Sequence, residues 1–442
     1  MKNVISRLRG IQVKSTTIEI IYEPKQFYET LCKLASNAQK RITLSTLYLG
    51  TGKLEKELIN KISSNKNFCD NKLKVNFLCD YLRGTRGEPT NSVSVLKDLH
   101  SKGNIYLYHT PDLRGVAKKV LPERVNEIVG VQHMKLYIFD NDIIISGANL
   151  SHDYFTNRQD RYILIKNCPQ LAEYFDDLVE AVGTCSFKVQ TDGKLKLDEN
   201  CLVHPFDGNA KEFKAMFKSR IESLQNKLEV LGELSSNSEV TSVYPLLNMG
   251  NYEINNESKF LVNLFSQDNL NSQLTIASGY FNLTEQYINL LTKNKNRLID
   301  IITASPRANG FFTARGLSSN VPSLYVYLCK EFFDKVNDNV KIYEYFKKDW
   351  TFHGKGIWYS DKSDQMMTIV GSSNFGERSC RRDLEAQLLL VTSNEDLKKK
   401  LCSEKESLLK NCNPVTKDTF SGTDYIVPLW VKFASKFIRN FF

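Results

Sequence analysis

The stretch GVQHMKLYIFDND, Gly130 to Asp142, sets an imidazole and an ammonium two residues apart at the mouth of an apolar run that closes on an acid. Alternate positions of an extended chain share a face, so His133 and Lys135 aim the same way if the segment runs straight into LYIF. Composition alone makes such a pair unremarkable: with 59 Lys and Arg among 442 residues, roughly one His in eight has a cation two positions on. A second copy changes the odds. FHGKGIWYSD, Phe352 to Asp361, repeats the arrangement with His353 and Lys355.

The repetition extends outward from both copies. After the first comes IIISGANL and after the second MTIVGSSNF, each a strand with a small-residue turn ending on Asn149 or Asn374, and eleven residues beyond each Asn stands an acid, Asp160 or Glu385. Upstream, RITLSTLYLG (41–50) matches LTIASGYFNL (274–283), and KVNFLCDYLRGTRG (74–87) matches LIDIITASPRANGFF (298–312). The second pair of blocks spills into Gly- and Arg-rich loops, where backbone amides and the guanidinium groups of Arg83, Arg86 and Arg307 suit a phosphate.

Strands alternating with helices, stated twice, predict an α/β fold. The expected form is a pseudo-twofold pair of mixed, mostly parallel sheets with flanking helices and one active site shared between the halves. The expected divisions are a basic, targeting-like segment at 1–17, a first half at 18–207, a helical connector at 208–233, a second half at 234–425 and an amphipathic segment at 426–442.

Bulk composition narrows the class without choosing the chemistry. Apolar content of 41% supports a packed globular chain, and a net charge of +9 suits an anionic partner such as a phosphate ester, a nucleic acid or an acidic membrane. Ten cysteines without a C-x-x-C pair indicate reduced thiols, and no Cys/His spacing calls for a metal or other cofactor. No run of 18 apolar residues marks a membrane span. MKNVISRLRGIQVKSTT has the basic, acid-free character of a transit peptide with apolar residues at helical spacing. VPLWVKFASKFIRNFF puts Leu429, Trp430, Phe433, Phe437 and Phe441 near one helical face, as in a helix lying at a membrane surface or docked on a core.

Two imidazoles, two ammonium groups and two amides around one volume make a phosphate-transfer site. One neutral histidine attacks phosphorus and carries the group covalently, while the other, protonated, serves the leaving oxygen. Asp160 and Glu385 are expected to accept a ring N–H each and hold its tautomer. Asp140 and Asp361 stand at strand ends, where organising the backbone is the more natural role. His100, His109 and His204 have no mirrored partner; His152, three residues after Asn149, is a marginal candidate for lining the pocket. LGTGKLE lacks the first Gly and the hydroxyl of a phosphate-binding loop.

With these residues assembled, the sequence resembles the phospholipase D superfamily, whose members carry two H-x-K-x4-D motifs followed by Gly/Ser–Asn turns. The blocks LSTLYLGTGKLE, DYLRGTRG, YHTPDLRGVAKKVLPERVNEIVGVQHMKLYIFD, SGANLSHDYFTNRQDRY, TASPRANGFFTARG, WTFHGKGIWY and GSSNFGERSCRRDLEAQ further resemble the eukaryotic phosphatidylglycerophosphate synthases, from about residue 18 to 395. The resemblance implies a mitochondrial phosphatidyltransferase, peripheral on the inner membrane, with CDP-diacylglycerol and glycerol 3-phosphate as substrates and no nucleic acid partner. It assigns His133, Lys135 and Asp140 to the first catalytic motif and His353 and Lys355 to the second. In the second motif Ser360 stands where the acid belongs, with Asp361 one residue late.

The intact first motif favours His133 as nucleophile and His353 as acid and base, with the reverse assignment open. A phosphatidylserine synthase, a phospholipase or a nuclease of the same superfamily shares these catalytic residues, and a non-catalytic scaffold is a further alternative.

Overall fold

A computed structural model of the chain describes residues 5–87, 89–120, 126–232, 237–314 and 319–439. Two sheets carry the duplication over eight strands each. In the nine-stranded sheet the order is 195–197, 187–189, 104–108, 74–80, 41–45, 136–139, 142–146, 162–165, 18–21. The eleven-stranded sheet contains 412–414, 340–345, 298–304, 273–278, 355–360, 366–371, 385–392 and 240–249 in the same succession, then continues through 9–14 to 229–230.

Both sheets are mixed. Parallel pairing is confined to three strands in each, 41–45 with 74–80 and 104–108, and 273–278 with 298–304 and 340–345. The expectation of mostly parallel sheets is therefore corrected. Helical crossovers produce those parallel steps, whereas each His-Lys strand turns back through a short loop and pairs antiparallel with the next strand. Leu136–Phe139 returns as Asp142–Ser146 through a two-residue turn. Asp140 occupies the left-handed region there at φ 51°, a conformation that Asp tolerates in tight turns.

The amino-terminal end of the chain departs most from the sequence expectation. Arg9–Lys14 is a strand, with Ile11 and Val13 buried, and it pairs antiparallel with Val240–Met249 of the second half and with Glu229–Val230. Helical spacing in 1–17 is thus overridden over those residues by an available sheet edge. The connector holds the helix Ala210–Gln225, whose first turn is capped by the Asn209 side chain accepting from the amides of Lys211 and Glu212. Its buried Phe217 stacks on Tyr252 of the second half at 4.0 Å, and the Tyr252 hydroxyl meets that of Tyr108 of the first half at 2.6 Å.

A buried ion pair also joins the halves. Arg161 donates to both carboxylate oxygens of Glu404 at 2.9 Å and to the Ile369 carbonyl at 2.7 Å, and its guanidinium lies 3.6 Å from the Trp358 ring centroid. Removing one partner of such a pair costs about 3–5 kcal/mol, because the other charge stays buried.

At the carboxyl end, Leu429–Ile438 is helical. Val431 and Ser435 are buried, Val431 against Val321, Leu324, Tyr325 and Leu328, while Leu429, Trp430 and Phe433 face outward with Ile426. The side chains of Phe437 and Phe441 lie outside the described residues. Among the described residues, no helix is long and apolar enough to cross a membrane.

Candidate active site

The two His-Lys segments meet where the sheets abut, and each is tied by its backbone to the other half. Gln132 bridges Leu384, with His133 N–H donating to the Leu384 carbonyl at 3.0 Å. In the mirrored position Thr351–Phe352 pairs in parallel with Arg158–Gln159, and His353 N–H donates to the Gln159 carbonyl at 2.8 Å. Each bridge delivers a histidine to an acid of the opposite half. His133 Nδ1–H donates to Glu385 at 3.0 Å, and His353 Nδ1–H donates to Asp160 at 2.6 Å.

At His133 that pairing sets the tautomer, with the proton on Nδ1 and the lone pair on Nε2; at His353, Lys355 Nζ stands 2.7 Å from the same Nδ1 that meets Asp160. Among the described residues, no protein group is hydrogen-bonded to His133 Nε2. The Tyr154 hydroxyl donates to His353 Nε2 at 3.2 Å, and Asn149 Nδ2 donates to the Tyr154 oxygen at 3.1 Å. Both lysines curl back to their own histidines: Lys135 Nζ donates to the His133 carbonyl at 2.6 Å and Lys355 Nζ to the His353 carbonyl at 2.7 Å. Lys355 Nζ also packs against the His353 ring.

Burial and crowding of like charge set the electrostatics. Burial, then Lys135, holds His133 well below its ordinary pKa; burial, then Lys355 and Arg158, does the same for His353. Both rings are therefore neutral near pH 7. Burial lowers Lys355 to about 8 against the pull of Asp160, and raises Asp160 to about 6 against Lys355. Glu385 is also raised by burial, opposed mainly by Lys135. A phosphate entering this volume meets cations whose desolvation it relieves.

Two glycines make the close approach possible. A Cβ at Gly147 would lie 2.7 Å from an Asp160 carboxylate oxygen, and one at Gly279 would lie 2.8 Å from the Cα of His353 and from the Phe352 carbonyl oxygen.

Not every expected residue joins the cluster in the expected way. Asp140 lies apart from the cluster: it sits at the far end of its strand from His133, where its carboxylate accepts the amides of Gln39, Lys40 and Arg41 at 2.7–3.1 Å. Asn149 spends its oxygen on Thr46 Oγ1 and the Leu47 amide, both at 3.3 Å, and its NH₂ on Tyr154. It therefore positions Tyr154 with one N–H and keeps the other. Asn374 keeps a buried amide oxygen with no protein partner. Arg83 and Arg86 both pair with Glu127, and Arg307 donates to Asp424 at 2.6 Å on an exposed rim. His152 points outward, with its ring largely exposed.

Residues that the motif reading passed over complete the site. Asp383, buried, accepts the Val131 amide at 3.0 Å and lies 2.9 Å from Arg378 Nε. It also clusters with His133 and Glu385, their ligand atoms within 4.8 Å of one another. Arg158 lies over the Tyr154 ring at 4.8 Å, and Tyr280 meets the His353 ring edge-on at 5.4 Å. Asp383 and Arg158 each stand two residues before a site acid. Period-two spacing on a strand is the signal that could have singled them out.

Known proteins similar to this chain are phosphatidyltransferases and their structural kin. Residues 267–409 match the family described as cardiolipin synthase, PLD-like domain. The chain is 35% identical to the human mitochondrial CDP-diacylglycerol–glycerol-3-phosphate 3-phosphatidyltransferase, covering 97% of this chain and 84% of that protein. It is 38% identical to the probable Dictyostelium discoideum enzyme of that name (98% and 78% covered) and 36% identical to the Saccharomyces cerevisiae enzyme (92% and 84%). Among solved structures, phosphatidylserine synthase of Haemophilus influenzae superposes with a TM-score of 0.76 at 19% identity, covering 100% of this chain and 98% of that one. That likeness is one of fold.

Proposed function

We propose, from the premise that this chain belongs to the CDP-diacylglycerol–glycerol-3-phosphate 3-phosphatidyltransferase family of the phospholipase D superfamily, that it moves a phosphatidyl group through a covalent phosphohistidine. The donor is CDP-diacylglycerol, the acceptor is the 1-hydroxyl of sn-glycerol 3-phosphate, and CMP leaves. The product is phosphatidylglycerophosphate, on the route to phosphatidylglycerol and cardiolipin. The mitochondrial designation of the human relative supports the same compartment for this chain.

The reading is carried by one observation: two imidazoles whose Nδ1 atoms each meet a carboxylate of the opposite half, with His133 Nε2 open. His133 Nε2 attacks the phosphorus that bears diacylglycerol, and the bond to the CMP oxygen breaks in line. The ring becomes cationic as it is phosphorylated, and Glu385, accepting its Nδ1–H, stabilises that charge. His353 takes up a proton as the anionic donor enters beside it and gives that proton to the departing CMP oxygen. Neutral again, it removes the proton of the acceptor hydroxyl, which attacks phosphatidyl-His133 and restores the free imidazole. Lys135, Lys355 and Asn374 hold the non-bridging oxygens; Asn149 and Tyr154 keep His353 in register.

The exposed Leu429, Trp430 and Phe433 beside Ile426 support peripheral contact of the carboxyl-terminal helix with the membrane that holds the donor lipid. The test of the chemistry is to supply CDP-diacylglycerol without acceptor, quench, and map the adduct by mass. Phosphatidyl on His133 is expected, and phosphate on His353 overturns the assignment. Offering serine, water and glycerol 3-phosphate in parallel identifies the acceptor, with phosphatidylglycerophosphate as the expected dominant product.

A further inference from the structure

A polar cleft of about 190 Å³ opens beside the second half of the site, lined by Arg158, Arg307, Gly310, Thr313 and Thr351 among others. Its inner wall is one side chain thick. Arg158 in that wall lies over the Tyr154 ring, and Tyr154 bonds His353. Gly310 comes so close that a Cβ there would be 2.9 Å from the Tyr280 hydroxyl and 3.4 Å from Arg158 Nη2. Tyr280 in turn abuts His353. The cleft thus ends on the two side chains that flank the proposed general base.

We infer that this cleft is the subsite for the phosphomonoester of the acceptor, with Arg158 and Arg307 as its two cationic arms; the inference rests on the transfer reading above. Each guanidinium is pre-aimed by a carboxylate yet retains donors. Arg158 spends Nε on Thr351 Oγ1 at 2.9 Å and Nη2 on Asp153 at 3.0 Å, while Arg307 spends only Nε, on Asp424. With five N–H donors per guanidinium, both keep Nη hydrogens for phosphate oxygens.

Reach decides which phosphate belongs there. In the donor, the CMP phosphorus is two bonds from the phosphorus under attack, so it must lie against the lysines themselves. In the acceptor adduct, the glycerol phosphate is six bonds away, beyond the three-carbon chain. A cationic cleft separated from His353 by one layer of side chains matches the longer span. Apart from Phe312 its lining side chains are polar or charged, Asp153 among them, which suits a phosphate ester held by arginines better than acyl chains.

Arg307 is 59% exposed, so Arg307→Gln is expected to fold normally. Steady-state kinetics should show the KM for glycerol 3-phosphate raised tenfold or more. The KM for CDP-diacylglycerol and the size of the single-turnover CMP burst without acceptor should stay unchanged. The ratio of transfer to glycerol 3-phosphate over transfer to plain glycerol should fall by a similar factor, a readout that a general loss of stability does not move. Arg158→Lys, which keeps charge but loses the fork, should shift the same ratio in the same direction. An unchanged KM for glycerol 3-phosphate in both variants overturns the subsite. A rise confined to the KM for CDP-diacylglycerol also overturns it, assigning the arginines to the CMP phosphate. Absence of both the CMP burst and transfer in the unaltered protein would instead overturn the transfer reading itself.

Discussion

His133 and Glu385 stand 252 positions apart in the chain and 3.0 Å apart in the fold. The mirrored pair, His353 and Asp160, is joined the same way. Neither half owns a finished imidazole–carboxylate couple, so catalysis should be sensitive to the acid of one half in proportion to the work of the other half's histidine.

Glu385→Gln is expected to lower kcat by about two to four orders of magnitude, the range for removing an acid–base partner. The amide can still accept the Nδ1–H but cannot balance a phosphorylated, cationic ring. Single-turnover CMP release from CDP-diacylglycerol should slow accordingly. Unimpaired release in this variant would show that His133 does not become charged.

The pH profile of kcat/KM should be bell-shaped. Asp160 must be ionised to support a charged His353, so activity falls as pH drops through about 6, the value to which burial raises it. Lys355 must be charged to hold phosphate, so activity falls as pH rises through about 8, the value to which burial lowers it. Asp160→Asn should be poorly active and should lose the acidic limb. Retention of that limb would reassign it to another group.

Gly279→Ala tests the packing that delivers His353. The new methyl would meet the backbone at His353 and Phe352 at 2.8 Å, contacts that only a shift of the segment relieves. A displacement of about 1 Å can cost on the order of 100-fold in rate. A fall of that order in kcat with the circular dichroism spectrum unchanged is expected; wild-type kcat would mean the segment has slack.

The outward face of the last helix should govern lipid contact independently of chemistry. Replacing Trp430 and Phe433 by Ser removes apolar area worth about 1.5–3 kcal/mol per fully buried side chain. Binding to vesicles containing an anionic phospholipid should weaken at least tenfold in sedimentation, with activity on detergent-dispersed donor retained. Equal vesicle binding by the variant would exclude this face as the contact.

Much of the site was legible because it is written twice. Neither His-Lys pair is distinctive alone, but repetition with matched Asn and acid positions singled out His133, Lys135, His353, Lys355, Asp160 and Glu385 together. Repetition could not say that the acids would be exchanged between halves, since that depends on the docking of Gln132 on Leu384 and of Phe352 on Gln159. It also hid what differs between the copies. Asn149 and Asn374 read alike, yet Tyr154 engages only the first. Asp140 fits a motif by spacing while its carboxylate serves a turn. The strand Arg9–Lys14 was invisible because its partner, Val240–Met249, lies in the other half.

Asp383 and Arg158 occupy equivalent places, each two residues before a site acid, yet one is an anion near His133 and the other a cation near His353. Two identical subunits related by a true twofold axis would have to carry the same residue at both places. Because one polypeptide runs through the helix Ala210–Gln225 to make both halves, the two can specialise. One imidazole can be furnished for holding a covalent load and the other for handling protons, a division of labour open to a fused pair and closed to a symmetric one.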